Sequence, residues 1–168
     1  MKNRRTKILN SKEINQKIER IAYEIYENHF EEKEIVLTGI DKKGYILAER
    51  IAECLERSTT LKFQLYKLKI NKEDPLKNDV EQPIREKNVS GKVVILIDDV
   101  LNTGRTLAYG VKHLLEFPIK QLNTVVLINR RHRLYPIRAD YDGLTLTTTM
   151  QEHISVLLTK GKETVYLE

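Results

Sequence analysis

The sequence predicts an α/β fold: a central, mostly parallel sheet flanked by helices, with a small antiparallel annex near the C-terminal end. Short aliphatic runs alternate with stretches of helical periodicity, the pattern of right-handed βαβ units. One run, V-V-I-L-I at residues 93–97, is unbroken by polar side chains, as a buried central strand requires. After residue 138, strand-like segments follow one another without helices between them.

The elements follow in order. Ile14, Ile18, Ile21, Ala22, Ile25 and Tyr26 recur at helical spacing behind an Asn10 or Ser11 cap. E-I-V-L-T-G, from Glu34 to Gly39, is a short strand. Leu47, Ala48, Ile51 and Leu55 define a helix running from Gly44 to Leu55. From Leu61 to Lys69 apolar and polar residues alternate, as in an exposed strand. Residues 71–89 are highly charged and hold two prolines, which marks a flexible functional loop. A central strand from Lys92 to Ile97, a helix from Thr106 to Phe117 and a strand from Gln121 to Asn129 complete the alternation. Ala139 to Gly143, Ile154 to Leu158 and Thr164 to Leu167 form the predicted antiparallel annex. No repeat or low-complexity tract interrupts residues 1–168, which are read as a single domain.

Composition narrows the function. A chain of 168 residues, 40% hydrophobic and 32% charged, is an ordinary globular composition with enough apolar content for a core. No stretch is apolar enough to span a membrane. The start, M-K-N-R-R-T-K-I-L-N, lacks the apolar segment of a secretory signal. The single cysteine, Cys54, rules out an internal disulfide framework and fits a cytoplasmic location. No Cys/His grouping has zinc spacing. The net charge of +5 points to an anionic partner: phosphate, pyrophosphate or nucleic acid.

The most informative stretch is V-V-I-L-I-D-D-V-L-N-T-G-R-T, residues 93–106. It sets Asp98 and Asp99 at a strand end, where ligands bind in parallel α/β sheets. Adjacent carboxylates repel unless a donor or a cation lies between them. A vicinal diol meets that need, and so does a hydrated magnesium ion. Asn102, Thr103, Gly104, Arg105 and Thr106 then open a helix, whose free N–H groups and positive dipole end attract an anion. A diol reader followed by a phosphate cradle describes a ribose 5-phosphate. The plainer alternative is a strand end that caps the next helix. G-I-D-K-K-G, residues 39–44, also joins a strand end to a helix start and carries two lysines, a pattern that equally suits a solvated turn.

Residues 94–106 resemble the signature of the type I phosphoribosyltransferases, which bind phosphoribosyl pyrophosphate (PRPP). L-I-N-R-R-H-R-L-Y-P-I-R-A-D-Y-D-G at 127–143 is similar to the PyrR family, pyrimidine-operon attenuators that are also uracil phosphoribosyltransferases. So are I-L-N-S-K-E-I, R-I-A-Y-E-I and L-T-G-I-D-K-K-G-Y-I-L-A-E-R-I-A nearer the start. The resemblance implies a type I phosphoribosyltransferase fold whose annex is the hood. It implies magnesium-dependent (Mg2+) transfer of a phosphoribosyl group from PRPP to a nucleobase, uracil, giving the nucleotide UMP and pyrophosphate. Asp98 and Asp99 would be catalytic, holding the ribose hydroxyls. Asn102, Thr103, Gly104, Arg105 and Thr106 would complete the PRPP site. Gly39, Asp41, Lys42, Lys43 and Gly44 would bind pyrophosphate, often in such proteins beside a non-prolyl cis peptide. Residues 71–89 would be a flap closing over PRPP. Arg138, Asp140, Tyr141 and Gly143 would meet the base. A homo-oligomer, dimer or higher, is implied too.

The chain departs from the family pattern in places. Lys42-Lys43 stands where a Thr-Arg pair is usual, which keeps charge and loses bidentate geometry. Asn102 replaces a tyrosine, or the aspartate base of purine members, and takes no proton. Asn129 replaces an aspartate, and Leu144 a lysine near the base edge. Attenuators carry Thr-Arg and then His along the first helix, where this chain has Glu19, Arg20 and Tyr23. The alternative function is therefore a nucleotide-sensing, RNA-binding regulator, with R-R-H-R at 130–133 facing either substrate or RNA and RNA binding expected to be weak.

Overall fold

The computed structural model describes residues 5–70, 84–149 and 152–168. The elements are β1 (Thr6–Leu9), α1 (Ser11–His29), β2 (Glu34–Ile40), α2 (Asp41–Ser58), β3 (Lys62–Leu68), α3 (Glu86–Val89), β4 (Val93–Leu101), α4 (Arg105–Leu114), β5 (Gln121–Arg130), β6 (Tyr141–Leu146), β7 (Ile154–Leu157) and β8 (Thr164–Leu167). Five of the strands form a sheet in the order β3-β2-β4-β5-β6, with every neighbouring pair parallel. The other three form an antiparallel sheet, β1-β8-β7.

Alternation along β4 explains the sheet's two buried faces. Val93, Ile95 and Ile97 pack with Ile14, Ile18, Ile21 and Ile25 of α1 and Leu47, Ile51 and Leu55 of α2. Val94 and Leu96 pack on the other face with Leu107 and Leu114 of α4. A strand buried on both sides has no place for a polar residue, hence its unbroken aliphatic run. Helix α1 starts where the cap residues predict: Asn10 Oδ1 accepts from the Glu13 N–H at 3.0 Å, and Glu13 Oε2 accepts from the Asn10 N–H at 2.8 Å. Cys54 is half-buried on α2, and burial pushes its thiol up, which disfavours the reactive thiolate.

The structure corrects the predicted annex. Tyr141–Leu146 is the edge strand of the parallel sheet, aligned with Val125 to Arg130 of β5. Its crossover, residues 131–140, contains no helix, so the segment read like one limb of a meander. Ile137 and Ala139 of that crossover pack on the α4 face. The annex instead recruits β1, four residues too short to show a period. Of the segment 71–89 read as a loop, the structure describes residues 84–89: Ile84 and Val89 are buried in the α4-side core, and Val89 ends α3. Residues 71–83 lie outside the described residues.

The annex adds its apolar residues, including Ile154, Val156 and Val165, to the core of the α1/α2 face. Glu163 fastens it there: its buried carboxylate accepts from Ser11 Oγ at 2.6 Å and pairs with Arg50 at 3.1 Å. Among the described residues no helix is long and apolar enough to cross a membrane.

A buried histidine sets an acid limit on stability. His29, 3% exposed, lies 3.4 Å from the Tyr141 hydroxyl. Burial lowers its pKa below the ordinary 6.5, and Glu32 offsets this in part. The folded protein then binds fewer protons than the unfolded chain as pH falls, so stability is full above about 6.5 and declines below it. His113 is lowered by burial as well and acts with the same sign. Thermal melts at pH 7.5 and 5.5 check this. The wild type melts earlier at 5.5, and His29→Gln reduces the difference between the two pH values.

Candidate active site

The chain passes outward from β2 to β3, then returns to the other side of β2 to lay down β4. Ligand crevices in open α/β sheets form at such a reversal, beyond the carboxyl ends of the strands. A crevice of about 580 Å³ opens there. Residues 40–43 wall one side and 98–107 the other; Val126 of β5 and His153 and Ile154 of the annex complete it.

β4 runs beyond Ile97 to Leu101, so the acidic pair is held by strand geometry. Asp98 is 5% exposed and Asp99 9%. Asp98 Oδ1 accepts the Asp99 N–H at 2.9 Å, which fixes its carboxylate at the crevice wall. Asp99 Oδ2 lies 3.8 Å from Lys43 Nζ across the crevice. Gly44 allows that approach. A Cβ there would meet the Ile97 carbonyl oxygen at 2.6 Å, so only glycine lets α2 start flush against β4.

The turn after β4 is built to present N–H groups. Gly104 has φ +87 and caps α4 without a side chain, leaving the first amides of the helix to an anion. Thr103 Oγ1 stands 3.4 Å from the Arg105 nitrogen. The turn is fastened from behind, because the Thr103 carbonyl accepts from the Leu134 and Tyr135 N–H groups at 2.9 and 3.1 Å. Thr106 lines the crevice beside exposed Arg105.

On the other wall, α2 begins at Asp41, directly after β2, with no capping side chain at Ile40. Asp41 takes φ +51, a left-handed conformation costing a non-glycine residue about 1–3 kcal/mol. Its Oδ1 accepts from the Ile70 N–H at 3.1 Å. The expected non-prolyl cis peptide is absent among the described residues, and this positive φ turns the chain instead. Lys42 and Lys43 are exposed at the rim, and buried Gly39 lies against the backbone of Tyr45. Two helix N-termini therefore face one crevice from opposite sides of a carboxylate pair, a layout that suits a ligand with two separate anionic groups and a polar middle.

The four residues expected at the base do not line this crevice. The Arg138 carbonyl and the Asp140 carboxylate bond Thr124, near the amino end of β5, with Asp140 Oδ2 accepting its N–H at 2.9 Å. Tyr141 is buried beneath α1 beside His29. Gly143 packs against Leu127, and its carbonyl accepts from Arg20. All four sit at the β5–β6 junction, where Tyr141 pairs with Val125 and Asp142 with Val126, the β5 residue that pairs with Asp98.

The sequence hid a further residue. Arg130, 6% exposed, donates from Nη1 to Asn102 Oδ1 at 2.9 Å and from Nε to Thr148 Oγ1 at 2.8 Å. Its Nη2 donates to the carbonyls of Glu152 and Thr149 at 2.8 and 3.2 Å. It ties the anion turn to the segment leading into the annex. The basic run R-R-H-R was the only signal, and it did not separate this buried arginine from exposed Arg131 and Arg133.

Residues 4–158 match the family described as "Phosphoribosyl transferase domain". The chain is 37% identical over 159 residues to the bifunctional protein PyrR of Haemophilus ducreyi, covering 89% of this chain and 87% of that one. It is 40% identical over 161 residues to the bifunctional protein PyrR of Clostridium acetobutylicum, covering 92% and 90%. In fold it resembles the hypoxanthine phosphoribosyltransferase of Trypanosoma cruzi, with a TM-score of 0.76 at 17% identity over 89% of this chain and 84% of that one. A hypoxanthine-guanine phosphoribosyltransferase of Bacillus anthracis gives 0.68 at 22% identity over 85% and 84%. With its acidic pair and anion turn at the sheet's switch point, the chain belongs to the phosphoribosyl transferase domain family and, within it, to the PyrR family.

Proposed function

We propose that this protein transfers the phosphoribosyl group of PRPP to uracil, producing UMP and pyrophosphate. One observation carries the reading: the buried Asp98–Asp99 pair lies between two helix N-termini in a single crevice. Asp98 and Asp99 accept hydrogen bonds from the ribose 2′- and 3′-hydroxyls. Asn102 to Thr106 hold the 5-phosphate through backbone N–H groups and the threonine hydroxyls. The Gly39–Gly44 turn holds the pyrophosphate, with Lys42 and Lys43 adding charge. So placed, C1′ is exposed to the base while the leaving group is held. The C1′–O bond breaks with its electron pair going to pyrophosphate, the C1′–N1 bond forms, and the N1 proton of uracil passes to the departing pyrophosphate or to water. Charge develops at C1′ and on the leaving oxygens, and preorganised dipoles aimed there stabilise it.

Magnesium fits the crevice as a companion of the substrate. The described residues contain no cluster of three ligating side chains, so they build no closed metal site. A carboxylate pair beside a diphosphate is the usual magnesium environment. Asp98 and Asp99 would hold the ion, directly or through water, and it would neutralise charge on the leaving pyrophosphate. The protein acts in the cytoplasm as a homo-oligomer on this reading.

A second reading rests on the name the relatives carry, bifunctional protein. It assigns a nucleotide-sensing, RNA-binding role in addition to catalysis. The α1 face offers little positive charge for it: Glu19 is paired with Arg57 at 3.1 Å, and Arg20 is engaged by Glu24 and the carbonyls of Asp142 and Gly143. Incubation of the protein with PRPP, magnesium and a panel of nucleobases tests the reading by pyrophosphate release. Release with uracil is expected. Release with purines alone, or with no base, contradicts the substrate assignment.

A further inference from the structure

We infer that Lys43 is a two-position cation that makes the site prefer PRPP over 5-phosphoribosides lacking the pyrophosphate. The inference rests on the PRPP reading and adds a selectivity element to it.

The observation is the ion pair across the crevice. Lys43 Nζ stands 3.8 Å from Asp99 Oδ2; the lysine side chain is 55% exposed and the aspartate side chain 12%. At that distance the pair is an electrostatic contact, longer than a hydrogen bond, and it separates readily. It sets the ammonium beside the carboxylate that a ribose hydroxyl needs. A ribose 5-phosphate entering the site must take Asp99 from Lys43 and offers the ammonium nothing in return, because its phosphate sits on the opposite wall at 102–106. PRPP brings its own anion to the 39–44 turn, so Lys43 exchanges one negative partner for another. After pyrophosphate leaves, Lys43 returns to Asp99 and competes with the ribose of the nucleotide product, which favours its release. A lysine suits such an exchange, being a point charge on a flexible stem; an arginine's planar fork is built to stay in one geometry. Lys42, exposed on the same turn, has no ion pair among the described residues and provides the control.

The test is calorimetric titration of the full chain, with magnesium, using PRPP, ribose 5-phosphate and UMP in turn. The proteins are wild type, Lys43→Met and Lys42→Met. Lys43→Met is expected to bind PRPP about tenfold more weakly and ribose 5-phosphate and UMP about threefold more tightly, since an exposed pair contributes up to a few-fold. Lys42→Met is expected to weaken PRPP alone. The opposite signs are diagnostic, because general loss of positive charge or of fold moves all three ligands the same way. Weakening of all three by Lys43→Met, or no change for ribose 5-phosphate, overturns the inference while the PRPP reading stands. A wild type that binds none of the three overturns both.

Discussion

Asp98→Asn and Asp99→Asn each lower kcat/KM for PRPP by a factor of about 10²–10³, corresponding to roughly 2–4 kcal/mol of lost transition-state stabilisation. Asparagine matches aspartate in shape and keeps one carbonyl oxygen. In the Asp98 variant that oxygen still accepts the Asp99 N–H, now made at 2.9 Å, so the backbone of β4 is undisturbed. What is lost is negative charge beside the ribose and the second acceptor for its hydroxyls. Asp98 is 5% exposed and the Asp99 side chain 12%, so water replaces the missing acceptor poorly. Steady-state kinetics with varied PRPP, alongside melting curves that match the wild type within a few degrees, check the expectation. Wild-type kinetics in both variants would remove the acidic pair from the mechanism.

Arg130→Met affects folding and activity together. The guanidinium donates to Asn102, Thr148, Thr149 and Glu152 from a site only 6% exposed. Methionine fills most of the volume but leaves those acceptors without a donor, each at a cost of about 1–3 kcal/mol where water does not reach. A net destabilisation of about 3 kcal/mol is expected by urea unfolding. Activity falls further than that predicts, because Asn102 begins the anion turn and its side chain loses the anchor to the annex. Arg130→Lys separates the two effects. It keeps the charge, loses the planar fork and makes fewer of the four bonds, so it recovers part of the stability and little of the kcat/KM. Full activity in Arg130→Lys would show that charge alone is needed there.

What the sequence revealed and what it concealed divide along a physical line. The acidic pair and its turn were legible because their chemistry is local: a buried strand, two carboxylates, a glycine and a helix start lie within 14 residues, 93–106. The α1, α2, β2 and β4 segments were legible for the same reason, since burial on one or two faces imposes a period on consecutive residues. β6 was misassigned because strand direction is set by what a strand pairs with. Nothing in Y-D-G-L-T-L records that β5 is its parallel neighbour. Arg138, Asp140, Tyr141 and Gly143, which the resemblance implied for the base, lie at the β5–β6 junction and not among the residues lining the crevice. Arg130 was hidden by its company: three arginines and a histidine read as one charged run, and only the tertiary fold separates the buried one from its solvated neighbours.

The most direct measurement is equilibrium binding of PRPP, with magnesium and without any base, to the wild-type chain and to the Asp98→Asn/Asp99→Asn double variant. Saturable binding to one site per chain is predicted in the wild type, competed by pyrophosphate and by UMP, and lost in the double variant while its melting curve persists. Undiminished PRPP binding in the folded double variant, or no binding by the wild type at millimolar PRPP, would contradict the assignment of this crevice as the phosphoribosyl site.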